Sequence, residues 1–425
     1  MKLLVRKSRL KGQVTIPASK SHTIRAVAIA SLAAGESTIR NPLVSADTQA
    51  AVDCYRALGA EIDTSDSKLW KVVATAGQIK TPENIIDVGN SGTTLRIAAG
   101  SAALAQVGQV ITLTGDEQIQ ARPIGPLLEA LNALGAKCRS IKDNGKAPIE
   151  VTGRLRGGKT SIAAHTSQYL SSLLLCTPLA AGDSWIDVTL LNEPGYVQMT
   201  LDWLDREQIV YENQQLHRFR IKGGQSYKAF DYIIPADFSS ATFFLCAAAM
   251  LADEVTLLGL DFSDSQPDKA VVDYLKAMGA DIKVGTNSVT IKAAELKGVQ
   301  LDMNETPDAL AAMAVTAAFA EGPTWLVNVA QARSKETDRI SATACEMRKM
   351  GIDVEELPDG LIIRGSKAKA AKLHGWSDHR IVMALALAGL NLDGQCSIDT
   401  AEAMNVTFPG YVRLMKSIGA NMELK

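Results

Sequence analysis

Apolar residues recur along the chain with two spacings, which predict alternating helices and strands. Within residues 123–134 they follow the three-to-four-residue spacing of an amphipathic helix, at Ile124, Leu127, Leu128, Leu131 and Leu134. Residues 110–113 alternate as a strand does, and the polar loop that begins at Asn90 leads into a helical run from Leu95 to Ala105. With the strand-like segments on either side, this stretch predicts a βαβαββ module.

The module is repeated along the chain. A helix that ends in Gly, usually followed by Ala, returns at five positions, which are Gly59, Gly135, Gly279, Gly351 and Gly419. The successive spacings are 76, 144, 72 and 68 residues, so the double gap predicts a degenerate copy near Glu207-Gln208-Ile209. The sequence therefore predicts an α/β (α+β) protein built from six units of about 72 residues.

The loop before the first helix of each unit is rich in helix-capping residues. These loops are 19–21, 89–93, 166–168, 237–240, 304–308 and 377–379. Taken singly, each is most simply a cap that satisfies orphan N–H groups at a helix start. Six in equivalent places suggest a second role, because several helix N-termini that converge on one cleft would bind anions.

Composition and charge narrow the functional class. The 425 residues predict two or three domains, and 44 Lys and Arg against 46 Asp and Glu give a net charge of −2, which indicates neither a nucleic-acid partner nor a membrane surface. Charged residues interrupt the first seven positions, and the longest apolar run, 309–320, is too short to span a bilayer. The six cysteines lack metal-binding spacing and are typical of a reducing compartment, so we expect a cytoplasmic protein without a metal site.

Residues 153–160 match the P-loop pattern G-x-x-x-x-G-K-[ST] and, taken alone, suggest a nucleotide hydrolase. The repeat argues against that interpretation. The segment that begins at Gly158 aligns with the one that begins at Gly12, and both continue through an apolar helix to Leu-Ala-Ala-Gly. We therefore expect Lys159 to lie in a strand rather than at the start of a helix.

Charged residues that an apolar scaffold does not need lie beside the capping loops. The basic ones are Lys20, Arg25, Arg96, Arg122, Lys335, Arg339 and Arg380, and the carboxylates Asp308 and Glu336 accompany them. Taken alone, residues 333–339 predict a solvated helix face, and Asp308 and Asp378 predict helix caps.

The whole chain resembles the enolpyruvyl transferases. The resemblance runs in order through eight segments, which are Lys20-Ser21, 89–96, 114–124, Ser167-Gln168, 302–308, 335–339, 378–380 and 407–409. It implies a two-domain inside-out α/β barrel with three repeats in each domain, the first domain spanning 19–235 and the discontinuous second one 1–18 and 236–425. It also implies an active site in the cleft between these domains.

The resemblance further implies the reaction and its residues. The carboxyvinyl group of phosphoenolpyruvate would move to a hydroxyl of shikimate 3-phosphate, with release of phosphate, on the route to chorismate and the aromatic amino acids. No metal or organic cofactor is implied, and the protein would act as a monomer. The catalytic residues would be Asp308, Glu336 and Lys20, with the assignment of each proton left open.

Two overlapping groups of residues would then bind the substrates. Shikimate 3-phosphate would be held by Lys20, Ser21, Arg25, Thr166, Ser167, Gln168, Tyr196, Asp308, Gln331 and Lys335. Phosphoenolpyruvate would be held by Lys20, Asn90, Gly92, Thr93, Arg122, Gln168, Lys335, Arg339 and Arg380.

The sequence departs from the family pattern in two places that bear on the acceptor. Val406 stands where many members have Lys, and the segment Glu193-Pro194 stands where many place Ser or Arg against the acceptor's phosphate. A Glu facing a phosphate would repel it, so either the loop is shifted or the acceptor differs. The alternatives are therefore transfer to another alcohol such as UDP-N-acetylglucosamine, or a catalytically silent scaffold that binds anions.

Overall fold

The computed structural model of the chain describes residues 1–365 and 367–425. These residues form two compact units. Unit A comprises residues 18–234, and unit B comprises residues 1–17 and 235–425. The chain thus enters unit A after residue 17 and returns to unit B after residue 234.

The described residues contain 24 β-strands, 13 α-helices and five short 3₁₀ segments. The strands are β1 (Leu3–Arg6), β2 (Leu10–Thr15), β3 (Ala34–Arg40), β4 (Glu61–Asp66), β5 (Leu69–Thr75), β6 (Ile86–Asp87), β7 (Val110–Thr114), β8 (Lys137–Ser140), β9 (Ile149–Thr152), β10 (Gly158–Ala164), β11 (Ser184–Leu191), β12 (Tyr211–Gln214), β13 (Arg218–Ile221), β14 (Asp231–Ile233), β15 (Ala252–Leu258), β16 (Asp281–Val284), β17 (Ser288–Lys292), β18 (Gln300–Asp302), β19 (Pro323–Val327), β20 (Asp353–Leu357), β21 (Gly360–Arg364), β22 (Lys372–Leu373), β23 (Gln395–Ile398) and β24 (Asn421–Leu424). The helices are α1 (Lys20–Leu32), α2 (Ala46–Ala57), α3 (Gly92–Ala102), α4 (Glu117–Ala121), α5 (Gly125–Ala133), α6 (Ser167–Cys176), α7 (Pro194–Arg206), α8 (Phe238–Leu251), α9 (Ala270–Ala277), α10 (Leu310–Ala317), α11 (Arg339–Lys349), α12 (His379–Asn391) and α13 (Tyr411–Ser417). The 3₁₀ segments are Thr177–Leu179, Pro267–Lys269, Pro307–Ala309, Ala330–Ser334 and Ala401–Val406.

Each unit contains three four-stranded sheets of one design. In unit A the strand orders are β14-β3-β5-β4, β6-β7-β9-β8 and β10-β11-β13-β12, and in unit B they are β2-β15-β17-β16, β18-β19-β21-β20 and β22-β23-β1-β24. In every sheet the first two strands pair in parallel and the remaining pairs are antiparallel. The same pattern in unit B shows that all six repeats share one topology.

Three of the sheets are completed by strands that are distant in sequence. β2 precedes the first repeat along the chain, yet it pairs with β15 of the fourth repeat, while β14, which follows the third repeat, pairs with β3 of the first. The N-terminal β1 joins β23 and β24 of the sixth repeat in the same way. The first and fourth repeats thus exchange their first strands, at the two places where the chain passes from one unit to the other.

The first helix of each repeat forms the interior of its unit. In unit A these helices are α1, α3 and α6, and α3 contacts both of the others. In unit B they are α8, α10 and α12, and these three contact one another. Each is buried on nearly every side, and all but α6 are rich in Ala, a residue that lets helices approach closely. A Cβ at Gly100 on α3 would lie 2.5 Å from Ser172 Oγ on α6, which shows how close this contact is. Helices inside and sheets outside confirm the predicted inside-out arrangement in each unit.

The turn after the second helix of each repeat explains the glycine pattern. Gly59, Gly135, Gly279, Gly351 and Gly419 all have φ between 79° and 108°, the left-handed region in which a Cβ is unfavourable. The degenerate copy near residues 207–209 keeps the same turn, with Gln208 at φ 56°. This confirms the degenerate repeat that the double spacing predicts.

The local predictions were partly right. Helix α5 covers most of the predicted 123–134 helix, and Lys159 lies in β10 as expected, which excludes a P-loop there. The prediction of a solvated helix over residues 333–339 is wrong. Residues 330–334 form a 3₁₀ segment, α11 begins only at Arg339, and the Arg339 side chain is buried.

Candidate active site

A buried arginine organises the predicted site residues of unit B. Arg339 is the first residue of α11 and its side chain is only 1% exposed. Its Nη1 donates to Asp308 Oδ1 at 2.7 Å, its Nε donates to Asp378 Oδ2 at 2.8 Å, and its Nη2 donates to Glu336. Burial lowers the pKa of the guanidinium, but the carboxylates of Asp378, Glu336 and Asp308 outweigh that effect and raise it above its ordinary value.

Asp308 lies between two guanidinium groups. It belongs to the 3₁₀ turn Pro307–Ala309 that opens α10, and its Oδ2 lies 2.8 Å from Arg380 Nη2. Burial would raise the pKa of this carboxyl, but the charges of Arg380, Arg339 and Lys335 together hold it well below its usual range. Asp308 is therefore ionised at neutral pH. The predicted helix cap is wrong here, since Ala309 precedes α10 and Asp308 binds arginines.

Asp378 fixes the positions of both arginines. It is the N-cap of α12 and is fully buried, and its Oδ1 accepts a hydrogen bond from the Arg380 backbone N–H at 2.8 Å. One carboxylate thus caps the helix that carries Arg380 and also orients Arg339. Its capping role was predicted, whereas its contact with Arg339, 39 residues away, had no signal in the sequence.

The remaining predicted residues of unit B lie near this cluster or beside it in sequence. Lys335 follows the 3₁₀ segment Ala330–Ser334, and its charge acts on Asp308. Gln331 is buried and donates from Nε2 to the Asn304 carbonyl at 3.0 Å. Val406 ends the 3₁₀ segment Ala401–Val406.

In unit A, two guanidinium groups converge on the start of α3. A Cβ at Gly92 would lie 2.6 Å from Arg96 Nη1 and 2.9 Å from Arg122 Nη1, so only glycine leaves room for both. Both arginines are buried, and desolvation followed by the nearby Arg122 charge lowers the pKa of Arg96, although Tyr169 and Glu193 oppose this shift. Two adjacent buried cations are stabilised by an anion between or beside them, so this cluster can bind one.

Hydrogen bonds link this cluster to two other predicted residues. Arg96 Nη1 donates to Gln168 Oε1 at 2.7 Å, and Gln168 Nε2 donates to Thr93 Oγ1 at 3.1 Å. Asn90 donates from Nδ2 to Asp116 Oδ2 at 2.7 Å, which ties the loop before α3 to the N-cap of α4. Arg96 was among the notable basic residues in the sequence but was not assigned to a substrate.

Lys20 and Arg25 lie on α1. Lys20 Nζ is 2.9 Å from Asp47 Oδ2, and both side chains are largely buried. Asp47 is a partner that sequence analysis missed, because its position in the first turn of α2 predicts only a favourable helix dipole interaction.

Arg25 donates to the Ser21 and Tyr196 carbonyls and to the Thr200 hydroxyl. Desolvation, partly offset by Tyr196, lowers its pKa to about 10. Arg25 thus positions two predicted binding residues, and its own contact with a substrate stays a prediction.

The predicted binding residues at the start of α6 donate hydrogen bonds to an unexpected carboxylate. Thr166 is the N-cap of α6 but makes no capping bond with its side chain. Instead Glu193 Oε2 accepts hydrogen bonds from Ser167 Oγ at 2.7 Å, Ser167 N–H at 3.2 Å and Thr166 Oγ1 at 3.3 Å. The loop before α7 therefore directs a buried carboxylate at residues predicted to bind shikimate 3-phosphate.

Comparison with known proteins identifies the family that this geometry belongs to. Residues 5–415 match the family described as EPSP synthase (3-phosphoshikimate 1-carboxyvinyltransferase). The chain belongs to the EPSP synthase family. This confirms the predicted family and the prediction of a carboxyvinyl transferase, and it does not favour the P-loop hydrolase or the silent scaffold.

Relatives and solved structures agree over the full length. The chain is 52% identical over 424 residues to 3-phosphoshikimate 1-carboxyvinyltransferase of Ruminiclostridium cellulolyticum, with 100% of both chains covered. It is 53% identical over 423 residues to the enzyme of that name from Acetivibrio thermocellus, covering 100% of this chain and 99% of the relative. A solved EPSP synthase structure from Acinetobacter baumannii matches with a TM-score of 0.83 at 25% identity, covering 99% of each chain. The α/β fold class predicted from sequence is thereby confirmed.

Two further observations concern the wider expectations. Among residues 1–365 and 367–425, no group of three or more His, Cys, Asp or Glu side chains is arranged to hold a metal ion. Within the same residues, no helix has the length and apolar character needed to cross a membrane.

Proposed function

We propose that this protein transfers the carboxyvinyl group of phosphoenolpyruvate to a hydroxyl of shikimate 3-phosphate and releases phosphate, on the route to chorismate and the aromatic amino acids. The observation that carries the proposal is Asp308, an ionised carboxylate held between Arg339 and Arg380 with Glu336 in the same cluster. This combination places anion-binding groups beside two carboxylates that can transfer protons. Membership of the EPSP synthase family supports it.

Binding would use guanidinium groups from both units. Arg339 and Arg380 of unit B, and Arg122 with its neighbour Arg96 of unit A, would hold the carboxylate and phosphate of phosphoenolpyruvate. Each charge-assisted hydrogen bond to such a group contributes about 1.5–3 kcal/mol. Lys20, Ser21, Thr166, Ser167, Gln168 and Tyr196 would hold shikimate 3-phosphate. That these groups act together in one cleft stays a prediction.

The reaction consists of an addition and an elimination, and each of these two steps moves two protons. C3 of phosphoenolpyruvate takes a proton, the acceptor oxygen bonds to C2, and the hydroxyl proton passes to a carboxylate. The resulting tetrahedral adduct loses phosphate as the C2–O bond to phosphate breaks, and the carboxylate that took the hydroxyl proton gives it to the departing phosphate. C3 then gives up a proton, which restores the double bond in the product.

The charges around the carboxylates favour one assignment of these protons. Asp308 is ionised because Arg380, Arg339 and Lys335 lower its pKa, so it is the base for the acceptor hydroxyl. When anionic phosphoenolpyruvate binds the same arginines, it offsets their charge and makes Asp308 more basic. Glu336, in its protonated form, would then supply the C3 proton and later take it back. Lys20 would stabilise the departing phosphate.

Phosphate release from purified protein tests the proposal. With phosphoenolpyruvate and shikimate 3-phosphate together, the wild-type protein should release phosphate, and Asp308→Asn or Glu336→Gln should lower kcat by about 10²–10⁴. Asp302→Asn is the matched control and should retain activity, since Asp302 is an exposed carboxylate six residues before Asp308 whose side chain accepts from Asn304 N–H and Asn328 Nδ2.

The outcome with other substrates distinguishes the alternatives. Phosphate release with UDP-N-acetylglucosamine but not with shikimate 3-phosphate would keep the chemistry and reject the acceptor. Release from neither acceptor would reject the proposed function. We also propose that the protein acts as a monomer in the cytoplasm, and a mass near 45.3 kDa by light scattering would support the monomer.

A further inference from the structure

Glu193 stands out among the buried charged groups because the proposed reaction gives it no role. Glu193 lies between β11 and α7 in the chain, and it is only 2% exposed. Its backbone lies in the left-handed region at φ 58°, which is unfavourable for a residue with a Cβ. A buried Glu in strained backbone is expensive to keep unless its carboxylate has well-matched partners.

Those partners are hydrogen-bond donors of the kind that bind a phosphate. One carboxylate oxygen of Glu193 accepts from the Ser167 hydroxyl, the Ser167 N–H and the Thr166 hydroxyl. Burial lowers the pKa of Arg96, and the Glu193 charge is among the groups that oppose this shift. A carboxylate with two hydroxyls, a backbone N–H and a nearby guanidinium occupies the position that an oxyanion of a ligand would take.

We propose that Glu193 competes with the acceptor's phosphate for these donors and so limits the affinity for the phosphorylated acceptor. The inference rests on the proposed function, which assigns Thr166 and Ser167 to shikimate 3-phosphate, and their hydroxyl and N–H donors suit its phosphate. The two hydroxyls and the N–H cannot serve the carboxylate and the phosphate at the same time. Glu193 must therefore move away when the acceptor binds, and the loss of its bonds, together with like-charge repulsion, weakens binding.

The consequence concerns specificity. The competition acts on the phosphate alone, so it reduces affinity for shikimate 3-phosphate and leaves affinity for unphosphorylated shikimate unchanged. Glu193 is thus a specificity-determining residue that reduces the difference in affinity between shikimate 3-phosphate and shikimate. If Glu193 served only as a remote cap for α6, its removal would destabilise the protein without tightening the binding of shikimate 3-phosphate.

Titration of both ligands into Glu193→Gln, without phosphoenolpyruvate, tests the proposal. Gln keeps the shape and one acceptor oxygen but removes the charge. We expect this variant to bind shikimate 3-phosphate about tenfold more tightly than wild type, equivalent to about 1.4 kcal/mol, with shikimate affinity changed less than about twofold. Glu193→Ser removes both the charge and the competing group, so it should also bind shikimate 3-phosphate more tightly.

Glu207→Gln is the matched control. Glu207 is another buried carboxylate, at the opposite end of α7, where its Oε2 accepts from the Lys228 N–H at 2.9 Å. It should change neither ligand's affinity. A folded Glu193→Gln or Glu193→Ser protein that binds shikimate 3-phosphate no more tightly than wild type would overturn the inference, as would equal tightening of both ligands. Turnover by the wild type tests the proposed function separately. If the wild type converts shikimate 3-phosphate, the proposed function stands whatever the variants show.

Discussion

Replacing Asp378 with Asn isolates the contribution of the buried ion pair that orients Arg339. Asn keeps an oxygen for the Arg380 N–H and remains a good N-cap, so α12 should still form. The NH₂ group of Asn cannot accept a hydrogen bond from Arg339 Nε, however. The Arg339 Nε–H then lacks this acceptor at a fully buried position. Removing one partner of a buried pair costs about 3–5 kcal/mol.

A similar cap and ion pair that is partly exposed gives a matched control. Asp338 caps α11 and its Oδ2 lies 2.7 Å from Arg333 Nη1, but its side chain is 37% exposed against 0% for Asp378. Asp338→Asn should therefore cost about 0–1 kcal/mol, as exposed pairs do. The two variants differ chiefly in the burial of the pair that they disrupt.

Calorimetry of the ligand-free proteins measures the difference. For a unit of about 200 residues, each kcal/mol shifts the Tm by roughly 2–4 °C, so Asp378→Asn should lower it by roughly 6–20 °C and Asp338→Asn by no more than about 4 °C. The KM for phosphoenolpyruvate should rise in Asp378→Asn, because Arg339 loses its orientation. Equal Tm shifts in the two variants would refute the reasoning that burial decides the strength of this pair.

Two further predictions concern Gly92 and Asp308. Gly92→Ala should raise the KM for phosphoenolpyruvate about tenfold, because the new Cβ displaces two guanidinium groups. Steady-state kinetics should show no such change in Gly125→Ala, whose Cβ would approach nothing closer than 3.6 Å, and an unchanged KM in Gly92→Ala would contradict the predicted role of this cluster. The free energy of unfolding of the wild type should exceed that of Asp308→Asn most at neutral pH, and this difference should shrink as the pH falls below about 4. The sign follows because the folded-state pKa of Asp308 lies below its unfolded value, so a difference in denaturant midpoint that stays constant from pH 7 to pH 3 would contradict it.

Much of the fold could be predicted from the sequence because the repeat is written in local signals. The turn glycines, the capping loops and the apolar spacing each constrain a few neighbouring residues, and six copies make them detectable. The exchange of β2 and β14 between repeats could not be predicted in this way. Strand pairing across some 240 residues depends on which surfaces meet, and the two strands have no local feature that names their partner.

The site shows the same division. The residue types expected to bind anions and transfer protons were identified from motifs, and the structure brings Asp308, Glu336, Arg339 and Arg380 together in one cluster of unit B. The motifs did not predict that Arg339 is buried, that Asp378 holds it, or that Asp47 pairs with Lys20.

The sequence by itself determined the repeat, the fold class and the chemical character of the site, because each follows from residues close together in the chain. Only the tertiary structure decided which charges neutralise one another and which donors are already occupied. Glu193 illustrates the reason: the sequence shows a carboxylate where a phosphate contact was expected, but its effect depends on three donors 26 and 27 residues away. Electrostatic energy depends on distance and burial in space, and neither can be read from order along the chain.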